Sequence, residues 1–248
     1  MRKNIFALTA ICLGAVAPFM TSCIDDDDDK DNSLMRPTAV VTVCPTDDGS
    51  FVMNLDNDTR LIPAGGMKSP FEDKEVRALV NYTEENKEFT HSMHTRTVTV
   101  NWIDSIRTKL PVPTMGEQND EIFGNDPIEI VRDWVTVAED GYLTLRVRTL
   151  WGHTGIKHNI NLLTGVNPDD TFEVELRHDA CGDFAATEGD ALIAFNLNAL
   201  TNTDGSTHKF TLKWHSFSGE KSMEFDLRMR NSLPEVDPRT IRHSAAVK

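Results

Sequence analysis

The 248-residue chain carries eight histidines and four cysteines, and with a few closely spaced carboxylates these are the groups on which chemistry could be built. His91 and His94 are three apart in a polar stretch, His153 and His158 flank a hairpin-like turn at Thr154-Gly155, and His178 stands near Asp179 and Asp183. Zinc or a similar ion would need three or four such groups to converge. His158 and His178 share strand parity with apolar neighbours, Ile160 and Leu162 for one and Val174 and Leu176 for the other. The plainer expectation is therefore half-buried, hydrogen-bonded imidazoles with no metal. Asn54-Leu55-Asp56-Asn57-Asp58 opens like a calcium loop, but Thr59 stands where such a loop needs glycine and Gly65 where it needs a bidentate glutamate. A polar hairpin turn is expected there. Glu173 and Glu175 lie on one strand face at a separation that could suit a glycosidase pair, yet Arg177 continues that face and a solvated outer surface accounts for all three. The nucleophile elbow Gly-x-Ser-x-Gly, the phosphate-binding loop, the dinucleotide glycine run and His-Glu-x-x-His are all missing from the sequence. No catalytic residue, cofactor or metal is assigned, and a non-enzymatic role is the expectation.

The remaining reactive group is Cys23. Arg2 and Lys3 precede an apolar run from Ile5 to Met20, which is short for a spanning helix and has the flanks of a secretory signal. Ordinary cleavage after Ala15-Val16-Ala17 would leave Pro18 just beyond the scissile bond, where it is poorly accepted. Met20-Thr21-Ser22-Cys23 resembles a bacterial lipobox, in which small residues precede a cysteine that takes a diacylglyceryl group on sulfur. Cys23 is thus the candidate lipid-attachment site, and acyl chains there would anchor the protein to a membrane without a spanning helix. A plain secreted chain, with Cys23 an ordinary residue, is the alternative. Asp25 to Asp29, Lys30 and Asp31 form a self-repelling block that reads as a solvated tether, or as an engineered cleavage tag. Acidic residues directly after the lipidated cysteine also resemble the surface-export signal of Bacteroidota lipoproteins. That implies the outer face of the outer membrane, the periplasmic face being the alternative.

With 39 acidic against 25 basic residues the net charge is −14, which argues against nucleic acid as a partner. Hydrophobic residues make up 39%, enough for a core and too few for a polytopic membrane protein. After the signal has left and Cys23 is acylated, Cys44 and Cys181 remain, in different halves of the chain. Free thiols are expected, because a bridge between them would need a specific inter-domain geometry.

Period-2 alternation dominates and helical periodicity is nearly absent, so the fold is expected to be all-β. Strands are expected near 38–44, 50–55, 59–62, 74–82 and 96–108, the last bending near Asp104. Five short strands in this length suit a small, partly closed barrel. Seven more are expected near 128–137, 142–151, 157–163, 171–178, 191–198, 208–216 and 222–230, each with one apolar face, as in two packed antiparallel sheets. Residues 110–127, broken by Pro111, Pro113, Gly116, Gly124 and Pro127, read as a linker. The expected division is 1–22 signal peptide, 23–35 acidic tether, 36–109 barrel, 110–127 linker, 128–230 sandwich and 231–248 flexible tail.

The phrases Arg96-Thr97-Val98-Thr99-Val100, Ile106-Arg107-Thr108-Lys109, Tyr142-Leu143-Thr144-Leu145, Lys157-His158-Asn159-Ile160 and Glu175-Leu176-Arg177-His178-Asp179-Ala180 resemble the NigD-like lipoproteins of Bacteroidota. The resemblance implies an N-terminal OB domain, a five-stranded barrel, followed by a C-terminal antiparallel β-sandwich. The family's name comes from a bacteriocin gene cluster, and the resemblance brings no catalytic residues. Asp104-Ser105-Ile106 also resembles the O-glycosylation acceptor of Bacteroidota envelope proteins. The aromatics on the barrel strands are few (Phe51, Tyr82, Trp102), which disfavours base stacking and leaves a protein or glycan ligand as the expected partner. A bacteriocin-associated or immunity factor is the second reading, and a glycan-active hydrolase the third.

Overall fold

Alternate side chains of the first five strands point into a shared interior, and the strands close on themselves. β1 (Ala39–Pro45), β2 (Phe51–Asn54), β3 (Arg60–Pro63), β4 (Val76–Glu84) and β5 (Thr95–Ser105) form a barrel in the order β1-β2-β3-β5-β4. Its interior holds Val41, Val43, Met53, Leu61, Ala78, Val80 and Val98, all buried. The computed structural model describes residues 35–85, 94–152, 155–183, 187–198, 200 and 207–230. Cys23, the signal stretch, the acidic run, His91, His153 and the C-terminal tail lie outside the described residues. The Asp56 carboxylate accepts the backbone N–H of Asp58 (2.7 Å) and of Thr59 (2.6 Å), closing the β2–β3 hairpin in the way expected of a polar turn.

The second unit is built from β6 (Arg107–Lys109), β7 (Val112–Pro113), the short helix α1 (Asn119–Phe123), β8 (Glu129–Ile130), β9 (Val137–Glu139), β10 (Tyr142–Trp151), β11 (Asn159–Thr164), β12 (Glu173–Asp179), β13 (Thr187–Asn196), β14 (Thr207–Ser216) and β15 (Gly219–Arg228). One sheet runs β6-β13-β10-β8 with β9 also on β10, and the other β15-β14-β12-β11-β7. Leu143, Leu145, Val147, Ile193 and Phe195 of the first sheet pack against Leu162, Val174, Leu176, Phe210, Leu212 and Trp214 of the second. Each such buried side chain contributes about 1.5–3 kcal/mol.

Four features depart from the strand-by-strand expectation. The stretch 96–108 is not one bent strand: β5 ends at Ser105, Ile106 is buried, and β6 leaves the barrel to pair in parallel with Ile193–Phe195. The stretch 128–137 is two short strands separated by a turn in which the Asp133 carboxylate accepts the Val135 N–H (3.0 Å). Residues 110–127 hold β7, paired in parallel with Leu163 and Thr164, and helix α1, so this segment lies along the sandwich instead of spanning open space. The sandwich also contains a parallel pair, β12 with β14, because the intervening β13 crosses to the opposite sheet and the chain returns in its original direction.

β1 is buried on both faces. Val40 and Thr42 look away from the barrel interior, and Val40 joins Ile106, Val135 and Ala194 in a small apolar cluster between the two units. A polar network completes the junction. The fully buried Arg77 of β4 donates to Thr42 Oγ1 (3.0 Å) and to Thr144 Oγ1 of β10 (3.1 Å), and lies 3.5 Å from Glu139. Arg230 grips Asp140 with Nε (2.8 Å) and Nη2 (2.7 Å), and Glu75 with Nη1 (2.8 Å). Tyr142 donates its hydroxyl to Glu75, and Asn54 donates to Asp140 (3.1 Å). Burial works against charge on Glu75, yet the hydrogen bonds from Arg230 and Tyr142 outweigh it and hold the carboxyl below its usual range. The same burial, with Glu75 beside it, pushes the Cys44 thiol up to about 12, so this thiol is inert.

Candidate functional site

The β10–β11 connection and the rim of β12 bring together a buried stack of side chains. β11 pairs with β12 so that Ile160 faces His178, which places His158, just before β11, beside the same rung. His158 Nδ1 lies 2.9 Å from His178 Nε2, and His178 Nδ1 lies 3.2 Å from the Pro127 carbonyl. A carbonyl only accepts, so His178 carries its proton on Nδ1 and its Nε2 receives the Nδ1–H of His158. His158 Nε2 then faces Asp183 Oδ2 at 3.4 Å, and the same oxygen accepts the Gly152 N–H (2.9 Å). Both side chains of this pair are buried, at 0% and 1% exposure. Trp151 closes the stack, its ring 4.0 Å from the His158 ring and its Nε1–H donated to Gly189 O (2.8 Å). The indole edge lies so close over Gly189 that a methyl group there would meet Cδ1 at 2.3 Å.

Burial, and secondly the neighbouring His158, hold His178 below the ordinary imidazole range; Asp126 pulls the other way. The unfolded chain takes up this proton near 6.5, the folded chain only at lower pH. The stabilisation from neutral His178 is therefore complete above 6.5 and is lost as pH falls through the depressed folded value. Urea midpoints measured between pH 7.5 and 5 are expected to fall, with a slope from this group of at most about 1.4 kcal/mol per pH unit. His178→Gln should flatten that slope. A slope identical in the variant would show that other groups titrate there.

The pattern of the NigD-like N-terminal OB domain matches residues 40–106, and that of the NigD-like C-terminal β-sandwich domain matches residues 111–227. The chain belongs to the NigD-like family. Three solved structures share the arrangement. A protein of Parabacteroides distasonis, provisionally described as toxin-related, is 29% identical over 85% of this chain and 98% of its own, with a TM-score of 0.63. A NigD-like immunity protein of Bacteroides caccae is 22% identical over 76% of this chain and 91% of its own, with a TM-score of 0.53. A protein of Bacteroides fragilis, provisionally described as a lipoprotein, is 16% identical over 78% of this chain and 98% of its own, with a TM-score of 0.54. No curated protein matches.

In this NigD-like protein the other residues with chemistry to offer are held apart. Glu173 is paired with Lys213 (2.6 Å) and Glu175 with Arg177 (2.9 Å), so each member of the would-be glycosidase pair has its own cation. Cys44 is half-buried and Cys181 exposed, both as free thiols. Ser105 stands exposed at the end of β5. Among the described residues no three His, Cys, Asp or Glu side chains gather as a metal site would require. His158 and His178 are buried and hydrogen-bonded, as parity suggested, but to one another. Trp151 as their cover was not read from the sequence. The available signal was Gly189 inside a strand, which marks a close approach by another group.

Proposed function

We propose that this NigD-like protein is a non-enzymatic binding module of the cell envelope, anchored through lipid on Cys23 and displayed on the outer membrane. The observation that carries the reading is the junction. Arg230, Glu75, Asp140 and Tyr142 lock barrel and sandwich into one body, and a body with fixed geometry loses less entropy when it engages a ligand across its loops and sheet faces. The carboxylates that could have served hydrolysis are spent on neighbouring cations. The lipid anchor is supported by Met20-Thr21-Ser22-Cys23 and by the acidic run that follows. The Bacteroides fragilis relative's description agrees, and among the described residues no helix is long and apolar enough to cross a membrane.

Metabolic labelling with an alkyne fatty acid is the direct test. Label on the wild-type chain is expected to disappear in Cys23→Ala, and protease added to intact cells is expected to remove the body. An unlabelled wild-type chain would end the lipid reading, and a labelled chain resistant to shaving would place it on the periplasmic face. A bacteriocin-associated or immunity role is the second reading, favoured by the family name and by the Bacteroides caccae relative's description. Expression in a bacteriocin-sensitive strain without any protection would remove it.

A further inference from the structure

Beside the histidine stack the sandwich opens into a cleft of about 570 Å³, lined by Arg107, Trp151, Ile156, Lys157 and Asn159. Its volume falls in the range of small-ligand sites. Its charge runs against the rest of the molecule: the chain has 39 acidic and 25 basic residues, yet the cleft presents two cations and no carboxylate among its described lining residues. Elsewhere on the sandwich Arg146, Arg148, Arg177, Arg228 and Arg230 each hold a carboxylate. Arg107 and Lys157 hold none among the described residues. A third cation, Lys109, sits two residues along β6 with its ammonium 2.7 Å from Ile160 O, and burial together with the Arg107 charge pulls its pKa down. The cleft of an acidic protein thus presents Arg107 and Lys157, which hold no carboxylate among the described residues, while Asp183, the carboxylate against its lining His158, is buried; two such cations can concentrate an anion.

The wall of the cleft is rigid and apolar. Trp151 is fixed on one side by His158, and by its hydrogen bond to Gly189 O and the absence of a side chain at Gly189. Ile156 adds a partly exposed aliphatic surface. A fixed indole beside a forked guanidinium suits a ligand with an apolar ring face and a planar anion on its edge.

We propose that this cleft binds an acidic sugar, with the carboxylate on Arg107 and Lys157 and a C–H face of the pyranose against Trp151 and Ile156. The inference rests on the reading of the protein as a binding module and names the site and ligand class for it.

The test titrates the full chain, purified in detergent, with trigalacturonate, a hyaluronan hexasaccharide and sialyllactose, followed by calorimetry and tryptophan fluorescence. Maltotriose and inorganic phosphate serve as the neutral and simple-anion arms. At least one acidic sugar is expected to bind, with affinity that falls as salt rises. Arg107→Gln and Lys157→Gln are each expected to weaken it about tenfold, since each removes one charge-assisted contact. Both residues are exposed, so circular dichroism should show the fold retained. Failure of all three acidic sugars overturns the proposal, as does equal binding of maltotriose, or competition by phosphate at equal concentration. Binding of an acidic sugar that neither substitution alters overturns the cleft assignment while leaving the binding-module reading intact. The latter stands or falls separately on the capture of ligand by the wild-type chain.

Discussion

Arg230→Met is expected to destabilise the protein by about 3–5 kcal/mol, the cost of breaking a buried ion pair from one side. Asp140 is 1% exposed and accepts two hydrogen bonds from the Arg230 guanidinium; methionine leaves the carboxylate with a hydrogen bond from the Asn54 amide. Glu75 fares better, keeping the Tyr142 hydroxyl and some access to solvent. The consequence reaches beyond one site, because Arg230 and Asp140 belong to the sandwich and Glu75 to the barrel. Urea unfolding of the wild-type chain should be a single transition, whereas the variant should show the barrel and sandwich separating into two. The charges themselves are the cause, so Arg230→Met combined with Asp140→Asn should cost less than the two substitutions added together. A loss under about 1 kcal/mol, with one unaltered transition, would show that the apolar cluster of Val40, Ile106, Val135 and Ala194 alone holds the units together.

Arg77 shows where the sequence stops being informative. Parity along β4 sets Ala78 and Val80 on the inner face and leaves Arg77 on the other, with nothing in the strand itself to say what covers it. It is fully buried, because the sandwich covers that face. Period-2 alternation reports which residues share a face and is silent about what lies over it. The consecutive apolar residues Ala39-Val40-Val41, followed by Val43, carried the same message, since a strand buried on both sides shows little alternation. Most strands were legible because their inner faces are made of large or β-branched residues. The break at Ile106 was not, since no proline or glycine marks it and the switch to β6 is decided by Ile193–Phe195 in the other unit. β7 has two residues, too few to show any period, and its Pro113 is tolerated at an edge. At the histidine stack, parity pointed to half-buried, hydrogen-bonded imidazoles at His158 and His178. Their bond to each other depends on the β11–β12 register, and the closure by Trp151 on an approach that only Gly189 hints at.

Gly124→Ala tests how that stack is supported. Gly124 follows α1 with φ 75° and ψ 171°, a conformation open to glycine alone. A Cβ there would lie 2.5 Å from the His178 carbonyl oxygen and 2.7 Å from Asp179 Cα. These are backbone atoms of β12, so no rotamer change relieves the overlap, and the loop has to lift from the strand. Lifting breaks the Asp126 N–H to His178 O bond (2.9 Å) and the Ala180 N–H to Asp126 carboxylate bond (2.8 Å), and draws Pro127 O away from His178 Nδ1. Strain and overpacking together predict a loss of about 3 kcal/mol or more. Gly182 provides the comparison. Its φ is 79° but nothing lies within 4 Å of a Cβ built there, so Gly182→Ala should cost only the left-handed penalty of about 1–2 kcal/mol. Urea midpoints for the two variants separate the contributions. Equal losses would mean that the loop after α1 gives way without cost and does not brace β12, whereas a larger loss at Gly124, accompanied by a changed pH slope between 7.5 and 5, would tie the brace to the protonation of His178.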